Sequence, residues 1–177
     1  TLELRADGTS STWSHTWDNS VNNSLYKVVQ KSSGLPEMIT YFDKLNKKVR
    51  VEKTGFDGSK IYEDTFYDAL GRVVKSTTPY YDIDSPAYIY NTYDDLGRIT
   101  EVNKPGANGN TVTNSFTYDG LNLSTTNAKG QTKTVYSNIL GKKVKVIEGD
   151  SFIDYKYDAI GNLMQTTDAS GHSILLS

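Results

Sequence analysis

Cysteine is absent from these 177 residues, which removes disulfides, thiolate nucleophiles and cysteine-ligated metals together. Only His15 and His172 could act as imidazole bases or zinc ligands, and neither has a second His or Cys at ligand spacing. No apolar run approaches the ~18 residues that a membrane helix needs; the longest aliphatic stretch is Ile174-Leu175-Leu176. Basic residues do not cluster. With 19 Lys and Arg against 21 Asp and Glu, net charge is -2, so the basic face that nucleic acid requires is missing. The triplet Lys47-Lys48-Arg50 reads as a solvated strand face.

Catalytic signatures are equally scarce. There is no Gly-x-Ser-x-Gly elbow and no Walker-type phosphate loop. Asp82, Asp84, Asp94 and Asp95 could gather calcium, but no loop has the spacing of an EF-hand or a Gly-rich nonapeptide. No metal and no cofactor is expected. A glycoside hydrolase needs two carboxylates about 5 to 10 Å apart. Acidic residues are plentiful enough to allow one, although most of the Asp residues have another explanation.

What the chain has in excess is tyrosine, 13 against 5 Phe and 2 Trp. Tyr and Thr suit half-buried strands, where a ring packs and its hydroxyl reaches a polar partner. The tyrosines also mark an internal repeat. Tyr67-Asp68-Ala69-Leu70-Gly71-Arg72 recurs as Tyr93-Asp94-Asp95-Leu96-Gly97-Arg98 and Tyr157-Asp158-Ala159-Ile160-Gly161-Asn162. Variant copies read Phe42-Asp43-Lys44-Leu45-Asn46-Lys47, Tyr118-Asp119-Gly120-Leu121-Asn122-Leu123 and Ser137-Asn138-Ile139-Leu140-Gly141-Lys142. The fifth positions fall at 46, 71, 97, 122, 141 and 161.

Asp followed three residues later by Gly is the pattern of a type I turn: Asp caps the turn backbone and Gly takes a left-handed conformation. In a hairpin it closes the strands through a bulge at the Gly. The expected turn residues are Asp43, Asn46, Asp68, Gly71, Asp94, Gly97, Asp119, Asn122, Gly141, Asp158 and Gly161, with Asn standing in for Gly because it tolerates positive φ. The residue before each of these is Leu45, Leu70, Leu96, Leu121, Leu140 or Ile160. A free tip should be polar there, so each turn is expected to fold against a neighbouring unit and bury its tip.

A second set of turn signals lies between the first: Asp7-Gly8, Asp57-Gly58, Asp84-Ser85-Pro86, Asn108-Gly109, Lys129-Gly130 and Ser170-Gly171. The flanking segments alternate as strands do, as in Ile61, Glu63, Thr65 and Tyr67 or Val144 and Val146. Residues 38–49 also fit helical spacing through Met38, Tyr41, Phe42, Leu45 and Val49; the repeat alignment decides for strand. The expected fold is all-β, made of tandem antiparallel β-hairpin repeats forming a curved or spiralling sheet. Residues 1–24 form an irregular segment with part of a preceding repeat, and residues 25–177 the array. Both ends read as cuts through that array, so the parent is expected to be much longer.

Tyr-Asp-x-Leu-Gly-Arg followed by a Val/Ile strand resembles the Rhs or YD repeat, and six tandem copies cover residues 25 to 177. That family includes bacterial polymorphic toxins, the B and C components of insecticidal toxin complexes, wall-associated proteins and teneurins. The resemblance implies a non-catalytic shell segment of a secreted or cell-surface protein. Its partners would be flanking repeats and an encapsulated effector of the same parent. The self-cleaving region of toxin members is marked by Asp-Pro pairs; this chain has none, so no protease residues carry over. The alternative is an adhesive module for surface glycan, with Trp13 and Trp17 as stacking aromatics beside Tyr80, Tyr81, Tyr88 and Tyr90. A glycoside hydrolase ranks third.

Overall fold

The computed structural model describes residues 2–4, 10–55 and 57–176. The Asp7-Gly8 turn signal lies outside the described residues. The chain is all-β, a tandem run of antiparallel hairpins, and its contacts divide it into two compact units, residues 1–91 and 92–177.

The first unit contains β1 (Leu2–Leu4), β2 (Ser10–Trp17), β3 (Tyr26–Ser32), β4 (Met38–Phe42), β5 (Lys48–Thr54), β6 (Lys60–Tyr67), β7 (Val73–Thr77) and β8 (Tyr80–Tyr81), with β9 (Tyr88–Tyr93) running across the boundary. From β1 to β6 each strand pairs antiparallel with the next. Beyond β6 the pattern branches. The end of β6 pairs with β7 through Thr65↔Ser76, while its start pairs with β8 through Ile61↔Tyr81. Then β9 pairs with β7 through Lys75↔Tyr90. The stretch over residues 38–49, open to a helical reading, is two strands and a turn.

The second unit contains β10 (Ile99–Pro105), β11 (Thr111–Asp119), β12 (Asn122–Thr126), β13 (Thr132–Ser137), β14 (Lys143–Glu148), β15 (Ser151–Tyr157), β16 (Leu163–Asp168) and β17 (Ser173–Leu175). Each pairs antiparallel with the next. A 3-10 turn, Ala107–Gly109, joins β10 to β11.

Residues 1–24, expected to form an irregular segment with part of a preceding repeat, include the eight-residue strand β2, registered on β3 from Ser11↔Ser32 to Trp17↔Tyr26. Its sequence, Ser-Ser-Thr-Trp-Ser-His-Thr-Trp, alternates aromatic with small polar residues, a period-two pattern that an aliphatic search passes over.

Burial is thin, as a single sheet layer requires. Among the described residues the buried apolar side chains are Tyr41, Val49 and Val51, joined by Ser11, Ser24, Thr40, Asp64 and Thr77. All lie in the first unit; among the described residues of the second, none is buried. The strands are held mainly by their ladders and by side-chain ties between hairpins.

Candidate functional site at the turn edge

The repeated motif folds into one loop design. In the copy at 68–72 the Asp68 N–H donates to the Arg72 carbonyl and the Gly71 N–H to the Asp68 carbonyl, each at 2.9 Å. That pair of bonds closes a three-residue hairpin loop with a bulge at the left-handed residue. Gly71 has φ 78, Gly97 φ 79, Gly141 φ 74, Gly161 φ 93 and Asn46 φ 62. The Asp68 carboxylate caps the loop from inside, accepting the Leu70 and Arg72 N–H groups at 2.9 Å and the Arg72 guanidinium at 2.7 Å. Asp94 does the same with Leu96 and Arg98, and Asp158 with Ile160 and Asn162.

These contacts favour the charged carboxylate. Asp68, Asp94 and Asp158 are held below the usual carboxylate range, first by the backbone N–H of Arg72, Arg98 and Asn162 respectively. Asn138 caps the degenerate copy with its amide oxygen, accepting Leu140 and Lys142 N–H at 3.0 Å.

One copy departs. Asn122 is absent from the residues with positive φ; Gly120 carries it instead, at φ 57, and Asp119 pairs directly with Asn122. Glycine at the first central position builds a two-residue hairpin of the II′ kind, shorter than the expected loop. Asp119 and Asn122 are therefore strand ends there, and Asp119-Gly120 overrides the motif spacing.

The same capped loop also closes hairpins at the opposite edge. Asn127 accepts Lys129 and Gln131 N–H at 2.9 and 3.1 Å, and Asp168 accepts Ser170 and His172 N–H at 2.9 Å. The sequence signal was present, an Asx three residues before Gly130 and Gly171, but no Tyr precedes it.

The apolar tips are not buried. Leu45, Leu70, Leu96, Leu121, Leu140 and Ile160 are exposed, Leu70 at 77% and Ile160 at 85%. The expectation of buried tips fails because consecutive hairpins lie side by side in a sheet, where tips project past the ladder. Consecutive copies meet instead through the Tyr and the residue after the Gly. The Tyr67 hydroxyl donates to the Lys48 carbonyl at 2.9 Å, Tyr118 to Ile99 at 3.0 Å and Tyr157 to Lys143 at 2.8 Å. In each case the acceptor lies two residues past the turn residue of the preceding copy.

A cation from that preceding copy covers the ring. Lys47 Nζ stands 4.9 Å from the Tyr67 centroid, the Arg98 guanidinium 4.3 Å from Tyr118 and Lys142 Nζ 5.2 Å from Tyr157. Lys47 also donates to the Gly71 carbonyl at 2.8 Å, and Lys142 to that of Gly161. A Cβ on Gly71 or Gly161 would collide with the arriving Nζ. These two glycines thus serve φ and the close approach of a neighbour's lysine. In sequence terms the cation had the look of a solvated strand residue; the structure makes it half of a tie between copies.

A second polar assembly lies in the first unit. Arg50 grips Asp64 with two hydrogen bonds, Nε at 2.6 Å and Nη2 at 2.7 Å. The Asp64 carboxylate also accepts from Tyr80 at 2.6 Å and Asn22 at 2.7 Å, while its N–H donates to Thr77 at 2.8 Å. Burial pushes this carboxyl up, but Arg50, Tyr80 and Asn22 outweigh it and leave it lowered. The Tyr80 phenol is pushed up to about 12 by burial and by Asp64. With every acceptor occupied, this carboxylate is a structural clasp with no lone pair free for substrate.

Trp13 and Trp17 share one face of β2 by alternation, Trp13 half-buried and Trp17 79% exposed. Trp17 lines an open depression of about 280 Å³ with His15, Thr16 and Tyr26. Through the register of β2 to β9, Tyr80, Tyr88 and Tyr90 fall on the other face. A single aromatic patch therefore does not form. Tyr88, Tyr90 and Phe66 surround Lys75 instead, with Nζ 3.6 Å from the Tyr88 centroid. Among the described residues no three His, Cys, Asp or Glu side chains group as metal ligands. Asp94 is engaged as a cap, and His172 sits 3.3 Å from Asp168.

No protein-family model and no curated protein sequence matches the chain. Solved structures do. The crystal structure of TcdB2-TccC3 aligns with 91% of this chain at TM-score 0.60 and 15% identity. The form without its hypervariable C-terminal region aligns with 90% at 0.59 and 14%. The chain shares the hairpin fold of these structures. The Tc holotoxin pore of Photorhabdus luminescens also aligns, over 90% at TM-score 0.58 and 14% identity. The chain spans about one tenth of the length of each of these. At such identity the likeness is one of fold alone.

Proposed function

We propose that this chain is a non-catalytic wall segment of an Rhs/YD shell that encloses an effector within a larger secreted protein. The observation that carries the reading is the tie between copies. Tyr, Asp, Gly and the following cation, the residues most suggestive of chemistry, are consumed in capping one turn and holding the next hairpin. That use needs repetition, and a catalytic site does not. The fold shared with TcdB2-TccC3 and the Tc holotoxin supports the same role, and an extracellular setting with it. Flanking repeats and an effector are the partners.

The test is protease protection in the full parent protein. Polypeptide enclosed by the array resists digestion until the array unfolds, and Gly71→Val with Gly161→Val speeds its loss. Cleavage of that polypeptide at the rate of a free peptide, with the array intact, contradicts the reading.

A second reading, glycan binding, has the Trp17 depression in its favour: an exposed indole beside His15 and Tyr26 offers a stacking face for a sugar ring. Quenching or shifting of tryptophan fluorescence by a glycan panel, lost in Trp17→Ala, supports it; no response across the panel removes it.

A further inference from the structure

One ammonium of the first unit differs from its neighbours. By register, Lys27, Arg50, Lys60 and Lys75 share one sheet face. Lys27 reaches Asp18 at 2.9 Å, Lys60 reaches Glu52 at 2.8 Å and Arg50 reaches Asp64 at 2.6 Å. Lys75 has no carboxylate and no hydrogen-bond acceptor among the described residues. It is half-buried, and its Nζ meets only rings, 3.6 Å from the Tyr88 centroid, 5.1 Å from Phe66 and 5.7 Å from Tyr90. Phe66, Lys75 and Tyr90 lie directly opposite one another across β6, β7 and β9, so the ladder itself holds the ammonium among the rings. The phenols of this cluster are unengaged as well. Those of Tyr26, Tyr41, Tyr67, Tyr80, Tyr118 and Tyr157 each donate to a protein acceptor. Those of Tyr88 and Tyr90 have none among the described residues, and Tyr90 is 47% exposed.

We infer that Lys75, Tyr88 and Tyr90 form a binding site for an acidic sugar, a pyranose ring that bears a carboxylate, on the face opposite the Trp17 depression. Rings on several sides deprive the Lys75 ammonium of part of its hydration, and an incoming carboxylate offsets that loss through a charge-assisted hydrogen bond. The exposed Tyr90 ring offers an apolar surface to the C–H face of the sugar, and the two free phenols exchange hydrogen bonds with its hydroxyls. The combination is what selects the ligand. A neutral sugar leaves the ammonium without a counter-ion. Sulfate or an acidic peptide supplies the charge and leaves the rings uncovered. The inference rests on this cluster alone, and on neither the wall reading nor the Trp17 depression.

The test titrates trigalacturonate into the whole chain and follows the backbone amide resonances of Lys75, Tyr88 and Tyr90. The expected result is a saturable shift at these three, with a dissociation constant on the order of 1 mM, that weakens as salt is raised. Galactotriose of the same linkage, sulfate and triglutamate each bind about tenfold more weakly or not at all. Lys75→Gln and Tyr90→Ala each weaken trigalacturonate binding by about tenfold or more while the far-ultraviolet spectrum holds. Trp17→Ala leaves it unchanged. No shift up to about 10 mM trigalacturonate, equal affinity for any of the other three probes, or loss of binding in Trp17→Ala overturns the inference. None of these outcomes decides the protease-protection test or the tryptophan-fluorescence test, which stand separately.

Discussion

The Tyr118 hydroxyl donates a 3.0 Å hydrogen bond to the Ile99 carbonyl, nineteen residues earlier, while Arg98 lies across the Tyr118 ring at 4.3 Å. Ile99 follows Arg98 directly, so one dipeptide of the preceding copy receives both the edge and the face of the tyrosine. Tyr157 repeats the relationship on Lys142 and Lys143, and Tyr67 on Lys47 and Lys48. The motif is a joint whose two halves sit in successive copies.

Removing the hydroxyl alone isolates one part of the joint. Tyr118→Phe and Tyr157→Phe keep the ring and each should cost about 1 kcal/mol, the net worth of one such hydrogen bond. Urea unfolding followed by circular dichroism measures it. An unchanged midpoint for both variants indicates that water replaces the bond.

The turn glycines separate by position. Gly71→Val and Gly97→Val should each lose on the order of 1 to 2 kcal/mol, since a β-branched residue is forced to positive φ. Gly71→Val should lose the more, because its Cβ also displaces Lys47 from the Gly71 carbonyl. Asn46→Ala should be costly and Asn122→Ala mild, because positive φ sits on Asn46 in one turn and on Gly120 in the other. Thermal melts of the four variants give the order; equal losses for both Asn variants contradict the assignment.

The turn carboxylates predict an acid limb. Asp18 is lowered to about 2, chiefly by hydrogen bonds from Ser20 and Lys27, and Asp68, Asp94, Asp158 and Asp168 are lowered by their loop N–H groups. A group whose folded pKa is depressed stabilises the fold above its unfolded value, near 3.9, and that contribution goes as pH falls through the folded value. Stability should hold level from about pH 8 to 5 and drop between about pH 4 and 2. Asp68→Asn should be mild at neutral pH, since Asn127 and Asn138 cap equivalent loops, and should soften the acid limb. A urea midpoint measured against pH tests both statements.

Asp64 should behave differently from every turn aspartate. Asp64→Ala leaves Arg50 half-buried without its bidentate partner and strands Tyr80 and Asn22, a loss of about 3 to 5 kcal/mol. A loss under about 1 kcal/mol would place the cluster among surface pairs.

The sequence made the fold class and five of the six motif loops legible because turn chemistry is local: Asp, Gly and three residues between strands are enough to specify a loop, while Asp119-Gly120 sets a shorter one. What stayed hidden needed a register. Lys47 and Tyr67 are twenty positions apart, and only pairing through β5 and β6 brings the cation over the ring. The Asp64 clasp draws on Asn22, Arg50, Thr77 and Tyr80, which share no motif. Leu70 misled because an apolar residue at a recurring place suggests burial, whereas a hairpin tip projects past the ladder of its sheet.

The joint between copies is tested most directly by a double-mutant cycle on Arg98 and Tyr118, using Arg98→Met, Tyr118→Leu and the pair. Single-variant losses mix the joint with the Arg98–Asp94 ion pair, and the cycle removes that. A coupling of about 0.5 to 1 kcal/mol, with the pair costing less than the sum, is the predicted result. Strict additivity would show that the two side chains merely lie near each other, and the account of the motif as a tie between hairpins would be wrong.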